Sequence, residues 1–368
     1  MFQAFALCVA VLSADAAAME RIRLSDDGRG FVLAESGTPF VPWGFNYDHD
    51  ADGRLLEDYW NSEWPVVEAD FRRMKALGAN VVRIHLQFGA FMDSPTEPRR
   101  RSLDALARLV ALAEETGLYL DVTGLGCYHK HDVPRWYDGL DEPRRWQAQA
   151  VFWEAVASTC APSPAIFCYD LMNEPVVAGG DAKRDDWLGA AFGDKHFVQF
   201  INLERAGRKR SDIARQWIGR LVSAIRRHDG ERLVTVGLVP WSLDRPGLTS
   251  GFIPAEIADP LDFIAVHIYP EQGKVDEALA TLAGFAAAGK PVVIEEIFPL
   301  KCDAAELGRF IDRSREHAAG WIGFYWGKTA DELRPATTVA DALTVDWLEL
   351  FERKAPEMTG QSHVPPRH

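Results

Sequence analysis

Hydrophobic residues recur along this chain in two alternating rhythms. Short runs of β-branched, aromatic and other apolar residues are each followed by a longer stretch whose apolar positions fall three and four apart. The short runs Phe40–Asn46, Asn80–His85, Leu118–Val122, Ala165–Met172, Leu233–Val239, Asp262–Ile268, Pro291–Ile297 and Trp321–Trp326 read as strands. The longer stretches predict helices near Pro65–Leu77, Ser102–Thr116, Glu142–Ser158, Asp212–His228, Val275–Ala288, Ala304–His317 and Val345–Arg353, with only a short or irregular element after the fifth strand. Gly78 and Gly117 sit where a left-handed residue would end the first two helices. Several strands, such as Val81–Ile84, Phe263–Val266 and Pro291–Ile294, are apolar on both faces, as a parallel sheet covered by helices requires. Eight repeats without a Gly-rich phosphate loop favour a single (β/α)8 barrel over an open doubly wound sheet.

Ahead of the first barrel strand, Ile22–Leu24, Gly30–Leu33 and Phe40–Val41 cluster apolar residues around turn-forming stretches and read as a small hairpin. After the fourth strand the rhythm breaks over residues 177–211, which hold Trp187, Phe192, Phe197 and Phe200. Long βα loops sit over the active-site face of a barrel, so this one reads as a rim or lid, with a packed subdomain as the alternative. The last residues, 360–368, are polar and Pro-containing and read as a disordered tail, leaving 19–359 as one domain.

At the other end, Phe5–Leu12 is a short apolar run followed by the small residues Ala14-Asp15-Ala16-Ala17-Ala18, an export signal with an A-x-A cleavage site over residues 1–18. Met1-Phe2-Gln3 lacks the usual Lys or Arg, and a start at Met19 is the competing reading. Export would place the protein outside the cell or in the periplasm. Cleavage would remove Cys8 and leave Cys127, Cys160, Cys168 and Cys302, none in a C-x-x-C pair. Cys160 and Cys168 could bridge, although small buried hydrophobes are the commoner role for such residues. The net charge of -14 argues against nucleic acid or an anionic membrane as partner. No protein partner and no cofactor are implied.

The chemistry concentrates at two strand ends. Strand four closes in Leu171-Met172-Asn173-Glu174-Pro175 and strand seven in Ile294-Glu295-Glu296-Ile297. A carboxylate ending an apolar barrel strand faces the shared pocket, and two converging from different sides suit glycoside hydrolysis, one protonating the leaving oxygen and the other attacking the anomeric carbon. Around them the chain resembles glycoside hydrolase family 5, the cellulase and mannanase family, over nearly its whole mature length. Asn173-Glu174-Pro175 is similar to the family's acid/base motif, and Gly289 to Glu296 resembles its nucleophile strand. Val82-Arg83-Ile84 matches the arginine that holds the nucleophile, His267-Ile268-Tyr269-Pro270 the His and Tyr of the cleaving subsite, and Trp326 the aromatic platform under the sugar.

The resemblance implies a retaining hydrolase of β-linked glucan, mannan or related oligosaccharides, with Glu174 as acid/base and Glu296 as nucleophile. It assigns substrate contacts to Arg83, Asn173, His267, Tyr269 and Trp326. Because side chains alternate across a strand, Glu295 is expected to point outward or toward the rim, where Lys or Arg could pair it. One departure stands out. Where many members carry a His at the end of strand three, this chain has Thr123, and His129 or His131 could supply the contact from the following loop.

Two other classes compete. His129-Lys130-His131 resembles the H-x-H of metal-dependent barrel hydrolases, though that pair normally lies on strand one, where Asn46-Tyr47-Asp48 stands here. A non-catalytic carbohydrate-binding barrel is the other, and retention of both carboxylates, the Arg and the Tyr argues against it. No Gly-x-Ser-x-Gly elbow or His-Glu-x-x-His motif supports a serine hydrolase or zincin.

Overall fold

The computed structural model describes residues 18–360, apart from Asp181, Pro246, Gly247 and Tyr325. The export signal and the tail expected from sequence thus lie outside the described residues, save Ala18 and Gly360. Eight parallel strands close into a barrel in chain order: β1 (Trp43–Tyr47), β2 (Val81–Gln87), β3 (Tyr119–Gly126), β4 (Ile166–Asn173), β5 (Leu233–Leu238), β6 (Ile264–His267), β7 (Val292–Ile297) and β8 (Gly320–Gly323). Between them run α1 (Trp64–Ala76), α2 (Arg100–Thr116), α3 (Glu142–Cys160), α4 (Arg210–Arg226), α5 (Pro254–Ile257), α6 (Val275–Ala286) and α7 (Ala304–Ser314), and α8 (Val339–Thr359) follows β8. The (β/α)8 barrel read from the periodicity is the observed fold, and the irregular element after strand five is the four-residue α5.

Local chemistry explains the boundaries. Gly117 ends α2 in the left-handed conformation, and Asp141 and Asp303 cap α3 and α7 by accepting the backbone N–H of Arg144 and Glu306. The final helix is longer than its apolar pattern suggested. Thr338 and Asp341 form a capping box that starts it six residues earlier than the expected Val345.

The expected hairpin is a three-stranded antiparallel sheet of Ile22–Leu24, Phe31–Leu33 and Pro39–Phe40. It lies across the end of the barrel where the strands begin. Phe31 packs edge-on against Phe167 and Phe263 at 5.1 and 5.3 Å, and Phe40 against Tyr119 at 5.0 Å. With Val81, Val293 and Ile322 these form an apolar plug.

Above the plug the interior turns polar. Strand pairing sets Asn46, Arg83, Asp121 and Cys168 side by side on β1 to β4. On β7 alternation carries the inward direction from Val293 to Glu295. The register then slips: His267 pairs with Glu296 although Val266 pairs with Ile294, and Gly323 pairs with Ile297 although Trp321 pairs with Ile294. The extra residue on β7 is a bulge at its carboxyl end.

Candidate active site

A cavity of about 580 Å³ opens at the carboxyl ends of the strands and is lined by Asn173, Glu174, Tyr269 and Glu296 among others. Glu174 follows β4 directly. Its backbone is left-handed (φ 49°), an uncommon state for a residue with a side chain, costing on the order of 1–3 kcal/mol. Pro175 behind it disfavours the ordinary helical alternative. The turn is fixed by the Glu174 N–H donating to Gly237 O at 2.9 Å. Glu296 comes from the β7 bulge, and one carboxylate oxygen of each glutamate lies within 4.8 Å of the other.

Arg83 is the hub. Its Nη1 donates to Glu296 Oε1 and Asn46 Oδ1, both at 3.0 Å, and its Nη2 to Asp170 Oδ2 at 2.7 Å and Asn173 Oδ1 at 3.1 Å. The guanidinium is fully buried, and although burial opposes the charge, Glu295, Asp170 and Glu296 together hold it cationic. Tyr269 donates its hydroxyl to Glu296 Oε2 at 2.6 Å, and burial beside that carboxylate keeps the phenol protonated. Burial pushes the Glu296 carboxyl up, while His267, Arg83 and the Tyr269 hydrogen bond draw it back down.

His267 sits among three carboxylates. Its Nδ1 meets Glu174 Oε1 at 2.9 Å and Glu296 Oε1 at 3.5 Å, and its Nε2 lies 3.9 Å from Glu295 Oε2. Burial disfavours the imidazolium, but Glu296, Glu174 and Glu295 outweigh it and raise the ring to about 10. A Cβ at Gly237 would come within 2.9 Å of Arg83 Nη2, 3.1 Å of His267 Nε2 and 3.2 Å of Asp170 Oδ2, so only glycine leaves room for this network.

Two expectations need correcting. Glu295 does not point outward. It is fully buried inside the barrel, 3.7 Å from Arg83 Nη2 and within 4.8 Å of Asp121 and Cys168. Alternation from Val293 already turns Glu295 inward, and the bulge then brings Glu296 to the cavity as well, so both glutamates reach the interior. Trp326 does not floor the cavity. It is 1% exposed and packed against Phe45 at 5.4 Å, and among the described aromatic residues of this segment Phe324 lines the cavity.

Neither histidine foreseen for the strand-three position reaches the cavity, and another histidine does. Thr123 turns inward and donates to Asp170. His129 lies 3.9 Å from Asp194 and His131 is largely exposed, and neither lines the cavity. His85 does. Burial and Arg83 keep this imidazole neutral. Because Asn46 Oδ1 can only accept, His85 Nε2 donates to it at 3.0 Å, and Nδ1 accepts from the Tyr128 hydroxyl. Sequence reasoning missed His85, Asn46 and Asp170, yet the signal was present. His85 lies two residues after Arg83 on one strand, hence on the same face, and the other two are polar residues inside apolar strands.

The long insertion after β4 contributes both to the rim of the cavity and to the packed interior. Trp187 is buried under the Arg145 guanidinium, while Ala190, residues 192–195, Phe197 and Val198 line the cavity. Cys127, Cys160, Cys168 and Cys302 are free and buried. Among the described residues, His129 and His131 join no group of side chains close enough to share a metal ion. No described helix is long and apolar enough to cross a membrane.

An eight-stranded barrel with two carboxyl groups converging at the ends of β4 and β7, one clamped by Arg and Tyr, defines a glycoside hydrolase. The chain belongs to glycosyl hydrolase family 5: the family's cellulase model matches residues 34–330. Among solved structures it is similar to the exo-β-1,4-mannosidase Op5Man5 from Opitutaceae bacterium strain TAV5 (TM-score 0.68, 18% identity), covering 92% of this chain but only 63% of that longer one. The β-1,4-mannanase from the sea hare Aplysia kurodai is comparable (TM-score 0.62, 16% identity, 91% and 96% covered). A GH5_18 enzyme from Streptomyces cattleya in complex with GlcNAc matches similarly (TM-score 0.62, 18% identity, 87% and 81% covered). No curated protein matches the sequence.

Proposed function

We propose that this protein is an exported retaining β-glycosidase acting on gluco- or manno-configured substrates by double displacement. The observation that carries the reading is the approach of the Glu174 and Glu296 carboxylates to within 4.8 Å, near the roughly 5–5.5 Å separation of retaining enzymes. Glu296, aimed by Arg83 and Tyr269, attacks the anomeric carbon while Glu174 protonates the leaving oxygen. Once the glycosyl-enzyme has neutralised Glu296, Glu174 takes a proton from the water that releases the sugar. Asn173 already donates one amide N–H to Phe197 O at 3.2 Å, which leaves its second N–H for the sugar 2-hydroxyl. Structural relatives named as β-1,4-mannanase and exo-β-1,4-mannosidase make β-mannosides the first substrates to try.

The test is NMR of the first product formed from aryl β-mannosides and β-glucosides. A β-anomer supports double displacement, and an α-anomer overturns the roles given to both glutamates. Glu174→Ala separates the roles further. It should retain attack on a dinitrophenyl glycoside, whose leaving group needs no proton, and lose activity on an alkyl glycoside.

A further inference from the structure

The cavity changes character from floor to mouth. Asp48, His85, Asn173 and Glu296 at the floor are all buried and polar, groups able to hydrogen-bond sugar hydroxyls. Toward the mouth the lining becomes Phe192, Phe197, Val198, Phe298, Leu300 and Phe324. Phe192 is 77% exposed and Leu300 57% exposed, two of the few large hydrophobic side chains that the described molecule presents to solvent. They come from different loops, after β4 and after β7, and border the same opening. None of these side chains offers a partner to a sugar hydroxyl; the Phe rings could face a sugar ring or hydrocarbon, whereas Val198 and Leu300 suit hydrocarbon alone. The charged groups beside them, Asp194 and Lys195, pair with each other at 3.2 Å.

We propose that the mouth is an aglycone subsite, and that the substrate is a β-glycoside whose leaving group is an alkyl or aryl chain rather than a further run of sugars. This rests on Glu174 and Glu296 being the cleaving pair. A glycone seated among the buried polar groups directs its leaving group outward, past the loop that follows Glu174. There the apolar wall takes hydrocarbon from water, while a second sugar would strip hydroxyls of water without replacing the hydrogen bonds. Exposed apolar residues otherwise lacking a role are accounted for in the same way.

The experiment measures kcat/KM for methyl, butyl, hexyl and octyl β-glycosides below their micellar concentrations, in gluco and manno series, beside the matching disaccharides. Each methylene buried should raise kcat/KM about fourfold, so if the wall covers about three of those that octyl adds, octyl should exceed methyl by about 50-fold or more. Phe192→Ser and Leu300→Ser should each reduce the octyl-to-methyl ratio. Val339→Ser, an equally exposed hydrophobe outside the cavity lining, should leave that ratio as it is. Equal rates for methyl and octyl glycosides, or disaccharides preferred over both, overturn the aglycone proposal while leaving the catalytic reading intact. If no glycoside of either series is cleaved, the catalytic reading fails and the proposal falls with it.

Discussion

Replacing Glu295 with Gln tests whether a carboxyl group sealed inside the barrel holds its proton. Neither carboxylate oxygen has a hydrogen-bond partner, Arg83 is 3.7 Å away, and Asp121 lies within 4.8 Å. Burial and the Asp170 charge push Glu295 above the ordinary carboxyl value, and burial beside Glu295 pushes Asp121 well above its own. In the unfolded chain both ionise near their usual values. The folded state therefore holds protons longer, has its full advantage at low pH, and loses it as pH rises through the raised values. Gln keeps the shape, cannot ionise, and relieves Asp121 of a neighbouring charge. Every tenfold difference in proton affinity between the two states is worth about 1.4 kcal/mol. A chain of this length has an unfolding entropy of about 0.7 kcal/mol/K, so that amount moves Tm by about 2 °C. Melting curves at pH 5 and pH 8 should show Glu295→Gln gaining at least that much on the wild type at the higher pH, with kcat reduced less than tenfold. If the wild type gains on the variant instead, the attraction of Arg83 and His267 for the Glu295 carboxylate outweighs its burial, and the raised proton affinity is wrong.

Glu296→Ala should lose several powers of ten in kcat, and added azide should restore part of it as the α-glycosyl azide; rescue of a Glu295 variant in its place would move the nucleophile by one residue. Trp326→Ala should cost about 3–5 kcal/mol of stability with little effect on KM, whereas Phe324→Ala should raise KM, and the reverse pattern would return Trp326 to the sugar. His267, raised to about 10, contributes stability that is complete below its ordinary 6.5 and is lost as pH climbs through about 10. Nitrogen NMR should find both of its ring nitrogens protonated at pH 8, and a titration near 6.5 would dissolve the charge arrangement around it. Protein exported from a bacterial host should begin near Ala18, and recovery of an intact Met1 in the cytoplasm would refute export.

The strand–helix rhythm was legible because a parallel barrel buries both faces of its strands and one face of each helix, and that burial writes directly into residue type. The ends of β4 and β7 were legible for the same reason, since a carboxylate there stands out against apolar neighbours. What escaped was parity. Alternation predicts which residues share a face but cannot locate a bulge, so one extra residue on β7 left Glu295 assigned to the wrong side. Trp326 misled differently: β8 ends at Gly323, and beyond it the chain leaves strand geometry. The platform role that the family resemblance implied for Trp326 thus fell on a packed residue, while Phe324 lines the cavity. His85 went unnoticed because attention to the missing strand-three histidine favoured nearby positions in sequence over a neighbouring strand in space.

The loop bearing Phe192 is stitched to the turn that carries Glu174. Pro175 and Val176 pair with Gln199 and Phe200, the Gln199 N–H reaches Glu174 O at 3.4 Å, and the Gln199 side chain donates to Leu125 O at 3.0 Å. The insertion and the Glu174 turn are therefore not interchangeable modules. Grafting a different insertion onto this scaffold would disturb the posture of Glu174 along with the lining of the cavity. New specificities in this lineage should arise more readily by substitution at the loop's tip than by replacement of the whole segment.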